Sequence, residues 1–203
     1  MGMNKLWLAA GAAALVLGGG LLVAVKIGAA DENDKKAKAA VEKIMKSLED
    51  DKKDDAAKDA KALAGAIEDM EPAMNVMGPR DEGGFGFGKK PGKDPKKDSI
   101  EDKVEALANE KMSKEEVKDQ AGDLAKMGYA ISAVAHVAQA KPAPTGEKIK
   151  GKPADWKKWS KELGDHGLEL ATLAKSGKAT PEDIQKIGKT LNDTCMKCHE
   201  GFK

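Results

Sequence analysis

Both cysteines of the chain lie in one short run near its C-terminus, Cys195-Met196-Lys197-Cys198-His199. Two thiols at this spacing followed at once by an imidazole form the C-x-x-C-H arrangement that attaches c-type haem. On a helix, the three-residue spacing sets the thiols on one face, where each can form a thioether with one haem vinyl group. His199, four residues after Cys195, rises close to that face as the proximal iron ligand. The expected cofactor is therefore one covalently bound haem c, held by Cys195, Cys198 and His199, with His199 as the metal ligand.

Other chemistry for the same residues fits less well. A thioredoxin-like redox pair belongs at the start of a helix after a strand, whereas this pair sits near the end of a helical chain. A disulfide closing so short a loop would constrain the unfolded chain little. A zinc site recruiting His136 or His166 to the thiols matches no finger or ribbon spacing. The run Gly83 to Gly88 lacks the spacing of a phosphate cradle, since Lys89 stands where the final glycine of G-x-G-x-x-G would fall, and it reads as a flexible turn. No nucleophile and base accompany the scattered carboxylates, so nothing supports hydrolysis, and the chain is not expected to be an enzyme.

The elements that must position the motif read as helices throughout. The sequence has 203 residues, 40% apolar but only 3% aromatic, with 35 basic and 34 acidic side chains. That profile suits an all-α protein, and its balanced charge argues against a nucleic-acid partner. The last helix starts at Thr180-Pro181-Glu182-Asp183, with a capping hydroxyl, a proline where no amide donor is needed and acids in the first turn. Its stripe of Ile184, Ile187, Leu191, Cys195, Cys198 and Phe202 carries the motif into the core. Before it, Trp156, Trp159, Leu163, His166, Leu170 and Leu173 mark another amphipathic helix, with the tryptophans as core filling.

Further upstream, Ser99 with Asp102 and Ser113 with Glu116 read as paired caps opening two helices. Val41, Ile44, Met45 and Leu48 mark a helix over residues 34–50, and Leu63, Ile67, Met70, Met74 and Met77 extend a stripe over 56–77, with a kink or restart near Glu71 caused by Pro72. Residues 78–98, rich in glycine, proline and lysine, read as a long exposed loop, and 141–153 as a second loop.

The N-terminus reads as an export leader. Lys5 precedes an uncharged apolar and glycine run from Leu6 to Val25, and Gly28-Ala29-Ala30 supplies small residues before Asp31. The run is long enough to serve as an uncleaved membrane anchor. The domains are thus 1–30, signal peptide or N-terminal membrane anchor, and 31–203, a helical haem domain outside the cytoplasm. Residues 1–30 hold Lys5 and Lys26 but no acid, so acidic side chains slightly outnumber basic ones in the exported region.

From Trp156 to the terminal Cys195-Met196-Lys197-Cys198-His199-Glu200-Gly201-Phe202-Lys203, the chain resembles the last two helices of cytochrome c′ and the class II c-type cytochromes. In that family the motif lies near the C-terminus and is followed by an aromatic and then a basic residue, as Phe202 and Lys203 follow here. The resemblance implies a four-helix-bundle fold, with Cys195 and Cys198 binding haem, His199 as axial ligand and Lys203 near the histidine or the haem edge. Bundle helices are expected at 56–77, 113–139, 155–175 and 181–201. The remaining segments would pack outside or across one end, as an extra N-terminal helical segment and an insertion.

The sixth iron position separates two functions. A methionine there suits one-electron transfer, and Met74 and Met77 are the candidates, although a core stripe using methionine as filler is the plainer reading. An apolar unligated face suits binding of nitric oxide or carbon monoxide. The expected function is electron transfer by an exported, periplasmic monohaem cytochrome, with gas binding as the alternative. The expected partners are periplasmic or membrane-bound redox proteins, and self-association as a homodimer is left open.

Overall fold

The computed structural model describes residues 32–90 and 98–202. Among them there is no strand, and eight α-helices pack together. The expected leader over 1–30 and the terminal Lys203 lie outside the described residues. Among the described residues no helix is long and apolar enough to cross a membrane.

Helix α1 (Glu32–Glu49) buries Val41, Ile44, Met45 and Leu48 along one stripe, as the periodicity requires. Helix α2 (Lys53–Ala66) ends earlier than expected, because Ile67 turns extended and the Nζ of Lys141 donates to the carbonyls of Ala64 and Ile67 (3.0 and 2.8 Å). The chain restarts as α3 (Glu71–Met74), with Pro72 in its first turn, and runs on through a 3-10 turn over Asn75–Met77. The restart expected near Glu71 is therefore present, but the break opens earlier than Pro72 requires, at Ile67.

Helix α4 (Ile100–Asn109) opens on Ser99, whose hydroxyl accepts from the Asp102 amide (2.9 Å). The short α5 (Lys114–Asp119) has the reciprocal cap of Ser113 and Glu116, and leads through Gln120 into α6 (Ala121–Ala140). Helices α7 (Pro153–Lys175) and α8 (Pro181–Phe202) follow, and α8 begins with the Thr180–Asp183 exchange read from the sequence. All three caps satisfy amide donors that helix geometry leaves without partners.

The most extensive interface joins α6 to α7, and it depends on small residues. A Cβ on Gly128 would stand 2.5 Å from the Gly167 carbonyl oxygen, and one on Gly167 would stand 2.7 Å from that of Gly128. The obstacles are backbone atoms, so relief requires the helices to separate along the whole seam. Gly128→Ala is expected to lower unfolding stability by about 2–3 kcal/mol through overpacking, measured as a reduced urea midpoint with an unchanged slope. An unaltered midpoint would show that the seam yields freely.

Helices α1 and α2 pack on α6, while α8 packs on α7 and α4. The helical part of 56–77 lies with α1 and α6, and α4, expected outside or across one end, is a direct neighbour of the motif-bearing helix. The α4 contact is close, because a Cβ on Gly188 would come within 2.6 Å of the Leu107 Cβ.

The loop expected over 78–98 is exposed only in part where it is described, at Asp81, Glu82, Lys89 and Lys90, and it is not featureless. A 3-10 turn spans Arg80–Glu82, Phe85 is buried, and the Phe85 amide donates to the Val76 carbonyl (2.8 Å). Lys38 Nζ donates to the Gly83 and Gly84 carbonyls (2.9 and 2.8 Å), and buried Asp98 pairs with the Arg80 guanidinium. The glycines of this run permit a tight turn that seats a phenylalanine in the core, in place of the flexible turn expected there.

Candidate cofactor-attachment site

Cys195, Cys198 and His199 occupy the last two turns of α8, and all three are half-buried. Spacings of three and four residues bring them onto neighbouring turns of one face. Cys195 packs against the hydrophobic core, while Met196 and Lys197 between the thiols face solvent. Neither cysteine is in a disulfide.

Burial pushes the Cys195 thiol up to about 12, reinforced by the nearby Glu101 carboxylate of α4 and by Cys198. Burial raises the Cys198 thiol as well. Both groups are therefore neutral thiols at physiological pH. A redox-active C-x-x-C needs the opposite, a thiolate favoured by a helix N-terminus or a nearby cation. Here the pair lies at the C-terminal, electronegative end of the helix dipole, which opposes thiolate formation.

The end of α8 is anchored by contacts that leave no local signal in the sequence. The Gly201 carbonyl accepts hydrogen bonds from the Lys150 and Gly151 amides (3.0 and 2.9 Å), so the loop before α7 caps the helix. Phe202 stands edge-on to Trp156 (5.2 Å between centroids, 78°) and to Trp159 (5.9 Å, 72°). Trp156 is buried and donates its indole N–H to the Ala138 carbonyl (2.8 Å), tying this cluster to α6. Of the two tryptophans expected as core filling, Trp156 is that. Their link to the final turn of α8 appears only once Gly151 and Phe202 meet in space.

The remaining candidates are not gathered at the motif. Met74 and Met77 belong to α3 and its 3-10 extension, which pack on α1 and α6. His136 on α6 is partly buried, and burial lowers its pKa against the opposing charge of Asp165. His166 Nδ1 lies 3.4 Å from the Glu169 carboxylate on its own helix. Among the described residues no group of three or more His, Cys, Asp or Glu side chains could hold a metal ion, so the zinc alternative has no assembled ligand set. A groove of about 470 Å³ opens between α1 and α6, over Met45, Ala125 and Tyr129, and no residue of α8 lines it.

The chemistry of the donor set fits a covalently held haem: two unbridged neutral thiols and an imidazole on one anchored helix end. Cys195 and Cys198 would hold the group by thioether bonds, and His199 would supply the axial nitrogen. Comparison with protein-family models, with curated proteins and with solved structures finds no match to this chain.

Proposed function

We propose that this chain is an exported monohaem c-type cytochrome that transfers single electrons between redox proteins. One observation carries the reading. Two cysteines at C-x-x-C spacing stand unbridged beside His199, at the end of a helix held between α4 and α7. Haem c, when bound, supplies an iron centre that cycles between the ferric and ferrous states.

The chain's own residues hold, orient and shield that centre. Cys195 and Cys198 fix its position on α8, and His199 offers an imidazole nitrogen from the adjacent turn. Helix α4 packs on α8, with Leu107 seated against Gly188, and so covers that side. Met196, 51% exposed, is the one large apolar side chain exposed among the described residues, and Lys197 stands next to it. Together they present a contact point to an acidic partner, whose charge would steer the encounter.

Gas binding is the second reading, and the packing of the Met74 and Met77 segment on α1 and α6 speaks for it, because it sets these two candidate ligands apart from the motif. A single preparation tests both. The full chain is expressed with a c-type maturation apparatus, and its mass and its optical and resonance Raman spectra are recorded in both oxidation states. Covalent haem with a six-coordinate ferrous centre that resists carbon monoxide supports electron transfer. Covalent haem that binds carbon monoxide promptly supports the alternative, and unmodified thiols overturn both.

A further inference from the structure

We propose that Phe202, gripped by Trp156, Trp159 and Gly151, is a positioning residue that keeps the last turn of α8 formed and so fixes the orientation of the His199 imidazole. The inference rests on the haem reading and adds to it a device that the motif does not contain.

A helix end is a poor place for an axial ligand. The last four carbonyls have no intrahelical donor, and the last turn frays. His199 lies in that turn, since α8 ends at Phe202. In a frayed turn the imidazole would lose its fixed relation to Cys195, which lies one turn further into the helix.

Three contacts oppose fraying here, and all meet at Phe202 or its neighbour. The Gly201 carbonyl takes two amide donors from the loop before α7. The Phe202 ring fills the space over Gly151 so closely that a Cβ there would stand 2.5 Å from it. Its edge-to-face packing with both tryptophans links the helix end to α7, and the Trp156 indole carries the link to α6. Phe202 follows His199 by three residues and Cys198 by four, so it lies beside both on the helix surface. A ring held from three sides at that position restricts the backbone from which the imidazole projects.

The test uses Phe202→Ala and Gly151→Val, which loosen the grip from opposite sides, Phe202→Leu as the conservative variant, and Val41→Ala in α1 as a distant core lesion. Hydrogen exchange of the full chain made without haem reports the helix end directly. Phe202→Ala is expected to speed amide exchange over residues 199–201 by at least roughly tenfold, the loss of its two aromatic pairs, and Val41→Ala to leave it unchanged. In the haem-loaded chain, Phe202→Ala and Gly151→Val retain the covalent group but shift or broaden the ferrous iron–histidine stretching band. Phe202→Leu restores much of it, and Val41→Ala lowers the melting temperature without moving the band.

Wild-type exchange and an unmoved band in Phe202→Ala overturn the clamp while leaving the haem reading intact. A wild-type chain that acquires no covalent haem overturns the positioning role together with that reading, whatever the exchange rates show.

Discussion

Replacing both Cys195 and Cys198 with alanine is expected to abolish covalent haem, so that the polypeptide from a maturation-competent host has the mass of the bare chain and shows no haem absorbance after denaturation. The single variants are expected to differ from the double, because each thiol forms its own bond and one thioether suffices for retention at reduced yield. His199→Ala separates attachment from ligation. The thiols are still present, so covalent product is expected at low yield, but without the axial imidazole the ferrous spectrum loses its iron–histidine band. The fold tolerates these changes. Cys195 is only partly buried, and truncating a small half-buried side chain costs about 1 kcal/mol, far below the stability of a helical domain. A double variant that still carries haem through a denaturing gel would refute thioether attachment.

The features of this site that can be read from the sequence are those whose causes are local. The start of α8 depends on Thr180, Pro181 and Asp183, all within one turn, and its stripe runs directly into Cys195 and Cys198. The tryptophan stripe of α7 is legible for the same reason. The break between α2 and α3 is legible only in part, since Pro72 marks the restart at Glu71 but not the extended turn already made at Ile67. Ile67, Met70, Met74 and Met77 keep helical spacing across it, while its stabiliser, Lys141, comes from the far end of α6. Helical spacing therefore predicts a face but not continuity, and it places Met74 and Met77 on a bundle helix when they sit on a short restart against α1.

The choice of α4 as the partner of α8 also has no local signal. The Ser99 cap announces a helix but not its neighbour, and the reason α4 meets α8 is the gap at Gly188 that admits Leu107. Composition misleads over residues 78–98, where glycine and lysine outnumber two phenylalanines and one arginine. Phe85 and Arg80 decide the structure nonetheless, since a buried ring and an ion pair to the buried Asp98 outweigh the entropy of a short glycine turn. The clamp on Phe202 joins residues from three segments and has the same cause of concealment.

The Arg80–Asp98 pair yields the largest effect on folding. Asp98 is almost fully buried, with its side chain 3% exposed, and its carboxylate accepts from both the guanidinium and the Arg80 amide, while Arg80 also reaches the Gly88 carbonyl. Removing the arginine leaves a buried carboxylate without its counter-charge, so Arg80→Ala is expected to cost about 3–5 kcal/mol. Asp98→Ala should cost less, because the guanidinium it orphans is a quarter exposed and can recover water. Replacing both with apolar residues of similar size, Arg80→Met with Asp98→Leu, should recover much of the loss, since the penalty belongs to the unpaired charge and not to the missing attraction. The consequence reaches the motif through a short path. Asp98 directly precedes Ser99, the cap of α4, and α4 packs on α8 beside Cys195. Loosening that junction should speed alkylation of Cys195 in the haem-free chain, as well as lowering the urea midpoint. Equal midpoints for Arg80→Ala and wild type would mean that the pair contributes nothing to holding the 78–98 segment on the core. An unchanged alkylation rate despite a lower midpoint would mean that α4 keeps its place without it.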